Sequence, residues 1–593
     1  MSWKMSALLV VLLVIAGVGV PVLAQNQSSQ STAAPLTIKQ YSRMVNLDVV
    51  VKDRKGHPIT GLTAKDFEIF EQTPSKSKEK REQRIAAIRE VHTAAMKPPA
   101  AAPTNIAPGV YSNAVAVQKD PVPPTILLVD GINTEIQYQA QVHQQMLRML
   151  RQLPPNVPVA VFLMGKHLEL LQGFTTDPEL LQTALSRAES ATGQGLGHLN
   201  PIDDPSAAGN QFYGLTPLAS GDVAGMIAAA QSFDQMVYAA NIRERFDRTY
   251  TAFLSIARSL AGYPGRKNVL WLSTSFPLTL NALPQITDSN PLVQTNISHL
   301  DVQSQMQILD NALSDAKIAV YPVDIGGVRN LQVYSAEARP VGPNGPYADS
   351  ATAVDGRRVA AAASRQIEMQ NNEQDTMRSI AKDTGGKVCI GSNDLARCVR
   401  NAVEDSSDFY EISYYPDSSD WNGEYRRVFL KVRAHGAHLS YMRGYYATPE
   451  GSRDRTLRAV AMANDCGDLL NATGIAFTAR KVAEDHAGRL EFGLAIDPSK
   501  LTFSPMPNGA QQLNVEVGVC TFDKHGWSQK LVGYPIETNL SPKAYNMLIH
   551  GGRLSDSIVL PGPKPVAVRL LVKDVPSGRL GSIYIPTAES RVN

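Results

Sequence analysis

The side chains best placed for chemistry are oxygen-bearing residues at the ends of short apolar runs. Thr125-Ile-Leu-Leu-Val-Asp130 is a continuous apolar run closed by a carboxylate, with Asn133 and Thr134 just beyond it. Asn268-Val-Leu-Trp-Leu272 leads into Ser273-Thr274-Ser275, and Ile318-Ala-Val-Tyr-Pro-Val323 leads into Asp324. Such runs predict buried parallel strands, and ligands of open α/β sheets sit at the carboxyl ends of those strands. Asp130, Asn133, Thr134, Ser273 and Thr274 are therefore the candidate ligand-binding residues. Asp324 with Asn133 is a rearranged alternative. The chemistry on offer is recognition through oxygens and hydrogen bonds. Nucleophilic catalysis fares poorly: the eleven histidines are scattered, and there is no His-Glu-x-x-His, Gly-x-Ser-x-Gly elbow or phosphate loop. Gly193-Gln-Gly-Leu-Gly197 follows no strand and reads as a flexible insertion, while His435 and His438 read as a solvated hairpin tip. No catalytic residue is expected.

The elements that must position these residues follow from periodicity. Val142, Met146, Met149, Leu150 and Leu153 share a helical face, as do Val302, Met306, Leu309, Leu313 and Ala316. Strands at 159–164 and 387–390, a helix capped by Asp177 and another at 394–404 continue the alternation. The expected class is α/β, with a doubly wound, mostly parallel sheet over residues 123–405, flanked by β-sandwich modules. Residues 37–92 form an N-terminal β module with strands near 44–51, 67–70 and 84–91, and 93–122 an Ala/Pro-rich connector. Aromatic strands recur over 406–450, and 455–593 reads as a C-terminal β-sandwich carrying a short amphipathic helix at 541–550. Three strands alone are marginal for a core, so 37–92 and 408–448 are expected to share one sandwich; two separate small modules are the alternative.

Composition narrows the class. A chain of 593 residues, 43% hydrophobic and 19% charged, is too long for one core and too apolar to be disordered. Lys+Arg 57 against Asp+Glu 55 gives a net charge of +2, which lacks the basic field of a nucleic-acid binder. Lys4 precedes an apolar run from Ala7 to Val20, followed by Pro-Val-Leu-Ala24. That run is shorter than the roughly 20 residues of a spanning helix, so residues 1–24 are expected to be a signal peptide and 25–36 a linker; an uncleaved anchor is the alternative. The product would be exported, periplasmic or secreted, with no membrane span after signal removal.

Four cysteines are few, but Cys389 closes a predicted strand and Cys398 opens the next helix. Such ends can meet within the ~4.4–6.8 Å Cα separation of a disulfide, and export permits oxidation. The alternative is two small buried apolar residues. Cys466 and Cys520 could pair or stay free.

Several segments together resemble one family: Val45–Val51 with Gly61-Leu-Thr-Ala-Lys-Asp-Phe67-Glu-Ile-Phe70, Leu127-Leu-Val-Asp130-Gly-Ile-Asn-Thr134, and Gly173-Phe-Thr-Thr-Asp177. Pro264-Gly-Arg-Lys-Asn268, Ala319–Asp324, Thr384-Gly-Gly386, Tyr414-Tyr-Pro416 and Arg443-Gly-Tyr-Tyr446 continue the series. The chain over residues 40–450 is similar to the VWFA-related proteins of Acidobacteria, exported relatives of the von Willebrand factor type A domain. The resemblance implies a Mg²⁺ site built from a first-strand Asp-x-Ser-x-Ser, a loop Thr and a later Thr-Asp-Gly. Here the matching metal ligands are Asp130, Thr134 and Thr274. Ile132 stands where the first serine belongs, Ser273-Thr274-Ser275 replaces Thr-Asp-Gly, and Thr192 is the weak candidate for the loop threonine. One carboxylate among neutral oxygens suits a hard divalent cation poorly. The reading that follows is a non-enzymatic binding protein, its type A domain engaging an unidentified protein partner or an adhesion target through a degenerate metal-ion-dependent site. The alternative is a carbohydrate-binding or envelope-structural protein working through its C-terminal sandwich, with Trp421, Tyr425 and Trp527 as a sugar platform.

Overall fold

The computed structural model describes residues 44–92, 107, 109–115, 123–134, 146–151, 157–195, 240, 243–274, 299–325, 364, 367, 371, 374–392, 394–418, 420–447, 455–468, 470–484, 489–560 and 564–587. The predicted signal peptide and linker, almost all of the 192–225 insertion and the 326–363 loop lie outside the described residues.

Strands β1 (Val45–Lys52), β2 (Phe67–Gln72), β3 (Arg81–Gln83) and β4 (Ile85–His92) open the chain. Their partners come from far downstream: β11 (Asp408–Tyr414), β12 (Tyr425–Val432), β13 (His438–Ser440) and β14 (Gly444–Tyr446). The two sets mix into two antiparallel sheets, ordered β13-β1-β11-β4 and β14-β12-β2-β3. Between them lies one core of Leu47, Val49, Phe67, Ile69, Ile412, Val428 and Leu430. β2 alternates strictly, and its third inward residue is Glu71. That buried carboxylate accepts hydrogen bonds from the hydroxyls of Tyr414 and Tyr445, both at 3.0 Å, and pairs with Arg426 at 3.4 Å. A buried charge needs such partners to be tolerated.

The Ala/Pro-rich connector contributes a strand of its own. β5 (Val110–Ser112) pairs with β15 (Phe477–Glu484) in the C-terminal sandwich. The side chain of the next residue, Asn113, is fixed by three hydrogen bonds: it donates to Ala472 O (2.7 Å) and Ile475 O (2.9 Å) and accepts from Phe477 N (2.8 Å).

The central sheet follows, with β6 (Thr125–Asp130), β7 (Val159–Met164), β8 (Leu168–Thr175), β9 (Lys267–Ser273) and β10 (Ile318–Asp324). β6, β7, β9 and β10 are buried along their whole lengths because both faces are covered. Leu127, Val161, Leu270 and Tyr321 pack with Leu185 and Val399 from the helices Pro178–Gly195 and Leu395–Ser407. On the other face Leu128, Phe162, Trp271 and Val320 meet Phe253 of the helical residues 243–260, Leu313 of the helix His299–Asp315 and Ile380 of the helical residues 374–384. The strand order is β10-β9-β6-β7-β8.

The doubly wound, mostly parallel α/β class does not describe this chain. Of the five sheets among the described residues, four are antiparallel, and the fifth adds antiparallel β8 to its four parallel strands. Strands account for 42% of the structure and helices for 27%. Long apolar runs in 123–405 draw attention to parallel strands, whereas the short alternating strands on either side outnumber them. Within the central sheet a tight turn reverses the chain after β7, where Gly165 N donates to His167 O at 3.1 Å, so β8 returns alongside β7 without a crossover. The strand expected at 387–390 is a single parallel bridge, Val323 to Cys389.

The C-terminal sandwich sets β5, β15, β16 (Leu490–Ile496) and β20 (Leu554–Leu560) against β17 (Phe503–Pro505), β18 (Gln511–Phe522), β21 (Ala567–Asp574) and β22 (Leu580–Pro586). β19 (Ser528–Leu540) forms a long hairpin with β18. Phe477, Phe492, Val515, Val517, Leu570 and Ile583 fill the space between the sheets. The helix Arg455–Cys466 closes a smaller cluster of Met462, Phe522 and Leu571.

Both cysteine pairs stand at disulfide distance, with Cα separations of 6.0 Å for Cys389–Cys398 and 5.9 Å for Cys466–Cys520. The first ties the end of β10, through its bridge, to the helix Leu395–Ser407. The second ties the helix Arg455–Cys466 to β18. Peptide mapping under non-reducing conditions is expected to yield one Cys389–Cys398 and one Cys466–Cys520 linked pair; free thiols at either would contradict the structure. Loss of such a link costs about 2–4 kcal/mol.

Candidate functional site

β6 and β9 are neighbours, and the chain runs outward from them in opposite directions, toward β7 on one side and β10 on the other. The crevice between their carboxyl ends is where Asp130, Asn133, Thr134, Ser273 and Thr274 come together. All five are buried, Thr134 most exposed at 8%.

Asp130 is the hub. Its Oδ1 accepts from the backbone N–H groups of Ile132 (3.0 Å) and Asn133 (2.8 Å). Its Oδ2 accepts from Asn133 Nδ2 (2.8 Å) and from the indole Nε1 of Trp271 (3.0 Å). Burial pushes its pKa up, while the hydrogen bonds from Asn133, Ser273 and Trp271 pull the other way. The carboxylate thus closes the turn Gly131–Thr134 on itself, as an Asx-type cap does.

Asn133 carries the network outward. Its Oδ1 accepts from Arg245 Nε (2.9 Å), its Nδ2 also reaches Thr249 Oγ1 (3.1 Å), and its backbone carbonyl accepts from Thr274 Oγ1 (2.9 Å). Arg245 is itself only 6% exposed, so a buried cation and a buried carboxylate face one another through one amide. Sequence reading missed Arg245, Thr249 and Trp271. The available signal was the i, i+4 spacing of Arg245 and Thr249 on an otherwise apolar helical face. Thr134 Oγ1 is buried with no hydrogen-bond partner among the described residues.

Asp324 ends β10 beside Ser273, two strands across from Asp130. Its backbone N–H donates to Cys389 O at 2.8 Å. Thr192 falls in the helix Pro178–Gly195, and Ser275 lies outside the described residues.

These residues do not fit Mg²⁺. A hard cation needs about six oxygen lone pairs. Both oxygens of Asp130 are taken by N–H donors, two of which, the Trp271 indole and the Asn133 amide, hold partial positive charge where a cation would sit. Among the described residues no group of three His, Cys, Asp or Glu side chains could hold a metal ion.

The proposed sugar platform is not assembled. Trp421 and Tyr425 belong to the N-terminal sandwich, not the C-terminal one. Trp421 packs against Tyr445 with the Arg426 guanidinium 5.3 Å from its ring centre, and Tyr425 packs against Tyr446 at 4.9 Å. Only Trp527, at the β18–β19 turn, stands free in this trio, at 70% exposure.

No family model matches the chain, and no curated protein matches it. Among solved structures, an aerotolerance-related membrane protein from Bacteroides fragilis NCTC 9343, solved with multiple mutations to serines, is similar at 10% identity and a TM-score of 0.23. The match covers 47% of this chain and 98% of that one. No described helix is long and apolar enough to cross a membrane.

Proposed function

We propose that this is an exported, non-enzymatic binding protein related to von Willebrand type A domains, engaging a protein partner at the carboxyl end of its central sheet through a degenerate metal-ion-dependent adhesion site. The observation that carries the reading is the state of Asp130. A carboxylate saturated by five internal donors, Ser273 among them, is neither a general base nor an open metal ligand; it is a fixed post that shapes the Gly131–Thr134 turn. The segments that follow β6, β9 and β10 all leave from this end, which is where variable recognition loops are mounted on a rigid sheet. The two cysteine pairs support an oxidising compartment, and hence export.

Calorimetric titration of the full chain with Mg²⁺ or Mn²⁺ is expected to give little heat. Cross-linking capture of envelope proteins should be the same with and without EDTA. Micromolar metal affinity abolished by Asp130→Ala, or capture lost on chelation, would overturn the metal-free part of the reading. The carbohydrate alternative rests on Trp527, whose exposed indole suits sugar stacking. A polysaccharide-binding screen in which Trp527→Ala abolishes retention would favour it.

A further inference from the structure

One end of the C-terminal sandwich gathers exposed side chains that packing does not use. The β18–β19 hairpin turns there through Asp523-Lys-His-Gly-Trp527, and the link from β20 to β21 closes the same end. Trp527 is 70% exposed, more than any other large apolar side chain among the described residues. Val566 sits beside the hairpin base, where its N–H donates to Phe522 O at 3.2 Å, and is 43% exposed. Val482, at the same end of the facing sheet, is 52% exposed. Apolar side chains gathered on one surface and rimmed by polar groups mark a contact with something outside the fold.

The tip is preformed. Asp523 Oδ1 accepts from the backbone N–H groups of His525 (2.8 Å) and Trp527 (2.9 Å), and its Oδ2 accepts from Gln529 Nε2 (3.0 Å). Gly526 takes a positive φ of 79° in that turn. The carboxylate thus faces inward, whereas Lys524, His525 and Lys530 are exposed. Beside them Lys481 and Lys564 share one carboxylate, Glu484, at 2.8 and 2.9 Å. The end therefore presents N–H donors and positive charge around an indole and turns its acceptor away. A neutral sugar would find the ring but not the acceptor. An anionic bilayer meets both features, because indoles collect at its headgroup level and lysines at its phosphates.

We propose that the β18–β19 hairpin tip docks the protein reversibly on an anionic phospholipid surface, with Trp527 seated among the headgroups and Lys524 and Lys530 against their phosphates. Ring and charge act together, since a single weak anchor holds a protein only marginally. No residue of the Asp130 site takes part.

The test uses the exported chain from Gln25, which keeps every described residue, and flotation with vesicles of phosphatidylcholine, alone or mixed equally with phosphatidylglycerol. Flotation with the anionic vesicles is expected. Affinity should fall about tenfold in Trp527→Ala, and again about tenfold in Lys524→Glu combined with Lys530→Glu or at high salt. It should stay unchanged in Lys543→Glu, in the short helix beyond the other end of β19. All of these side chains are exposed, so folding should survive, and circular dichroism confirms it. No flotation, equal flotation with phosphatidylcholine alone, or affinity indifferent to Trp527→Ala would overturn the proposal. A chain that ignores the vesicles yet loses polysaccharide retention in Trp527→Ala would assign the indole to a sugar instead.

Discussion

Asp130→Ala is expected to destabilise the central sheet by about 3–5 kcal/mol, among the largest effects of any single side-chain truncation in this chain. The substitution removes the acceptor of hydrogen bonds from five buried donors: the backbone N–H groups of Ile132 and Asn133, Asn133 Nδ2, Trp271 Nε1 and the Ser273 side chain. Each buried donor left without a partner costs about 1–3 kcal/mol, and relaxation of the Gly131–Thr134 turn recovers part of that. Arg245 also loses the negative charge it faces through Asn133. Asp130→Asn should cost less, since one oxygen remains to cap the turn while the new amide opposes the Trp271 indole. Urea unfolding followed by Trp271-sensitive fluorescence measures both. An Asp130→Ala protein within about 1 kcal/mol of the parent would show that the carboxylate is not the hub described.

Gly386→Ala is expected to be as severe by a different route. The helical residues 374–384 end in Thr384-Gly385-Gly386, where Gly385 takes a positive φ of 75°. Thr384 Oγ1 accepts from the backbone N–H of Val320 at 3.0 Å, drawing the turn against β10. A methyl group on Gly386 would stand 2.0 Å from the carbonyl oxygen of Val320 and 2.8 Å from its carbon. Both are backbone atoms of a fully buried strand, so no rotamer change can make room. The turn must lift off the sheet, releasing Arg266 from Gly385 O with it. A loss above about 3 kcal/mol, or failure to accumulate as soluble protein, is expected. Gly173→Ala is the matched control: a methyl there meets nothing within 4 Å. If both variants melt together, the close approach of Gly386 to β10 is wrong.

The sequence exposes the residues gathered around Asp130 better than the architecture. Asp130 is legible because a carboxylate at the end of an all-apolar strand has few explanations. Ser273 and Thr274 are legible for the same reason. What holds Asp130 is not legible, because the Trp271 indole arrives from 141 positions away and Thr249, 116 positions on, holds its neighbour Asn133, and no local pattern announces either contact. The thinner strands also escape detection. β19 contains Gly533 and Pro535, residues that argue against a strand interior, yet Pro535 is tolerated because β19 pairs only with β18 among the described residues and needs no N–H on its other edge. β5 is three residues inside an Ala/Pro-rich stretch, too short for any period to show. Missing such strands is what tilted the expected class toward parallel α/β. Thr384-Gly-Gly386 was visible as a motif, but its reason, the closeness of a strand's carbonyl, exists only in three dimensions.

The long-range pairing of the strands has a consequence for how the protein is made. Ser112 Oγ reaches a carbonyl 365 residues downstream, and Ser413 Oγ reaches Asn46 across 367. β4 ends at His92 and β11 begins at Asp408. At typical rates of synthesis the first four strands therefore wait roughly 15–60 s for the partner that completes their sandwich. Through that interval their backbone edges are open to any other strand in reach, including those of a neighbouring nascent chain. Such edges invite aggregation. The strand order itself thus favours a holding chaperone, and yield is expected to depend on one more steeply than on the stability of the finished fold.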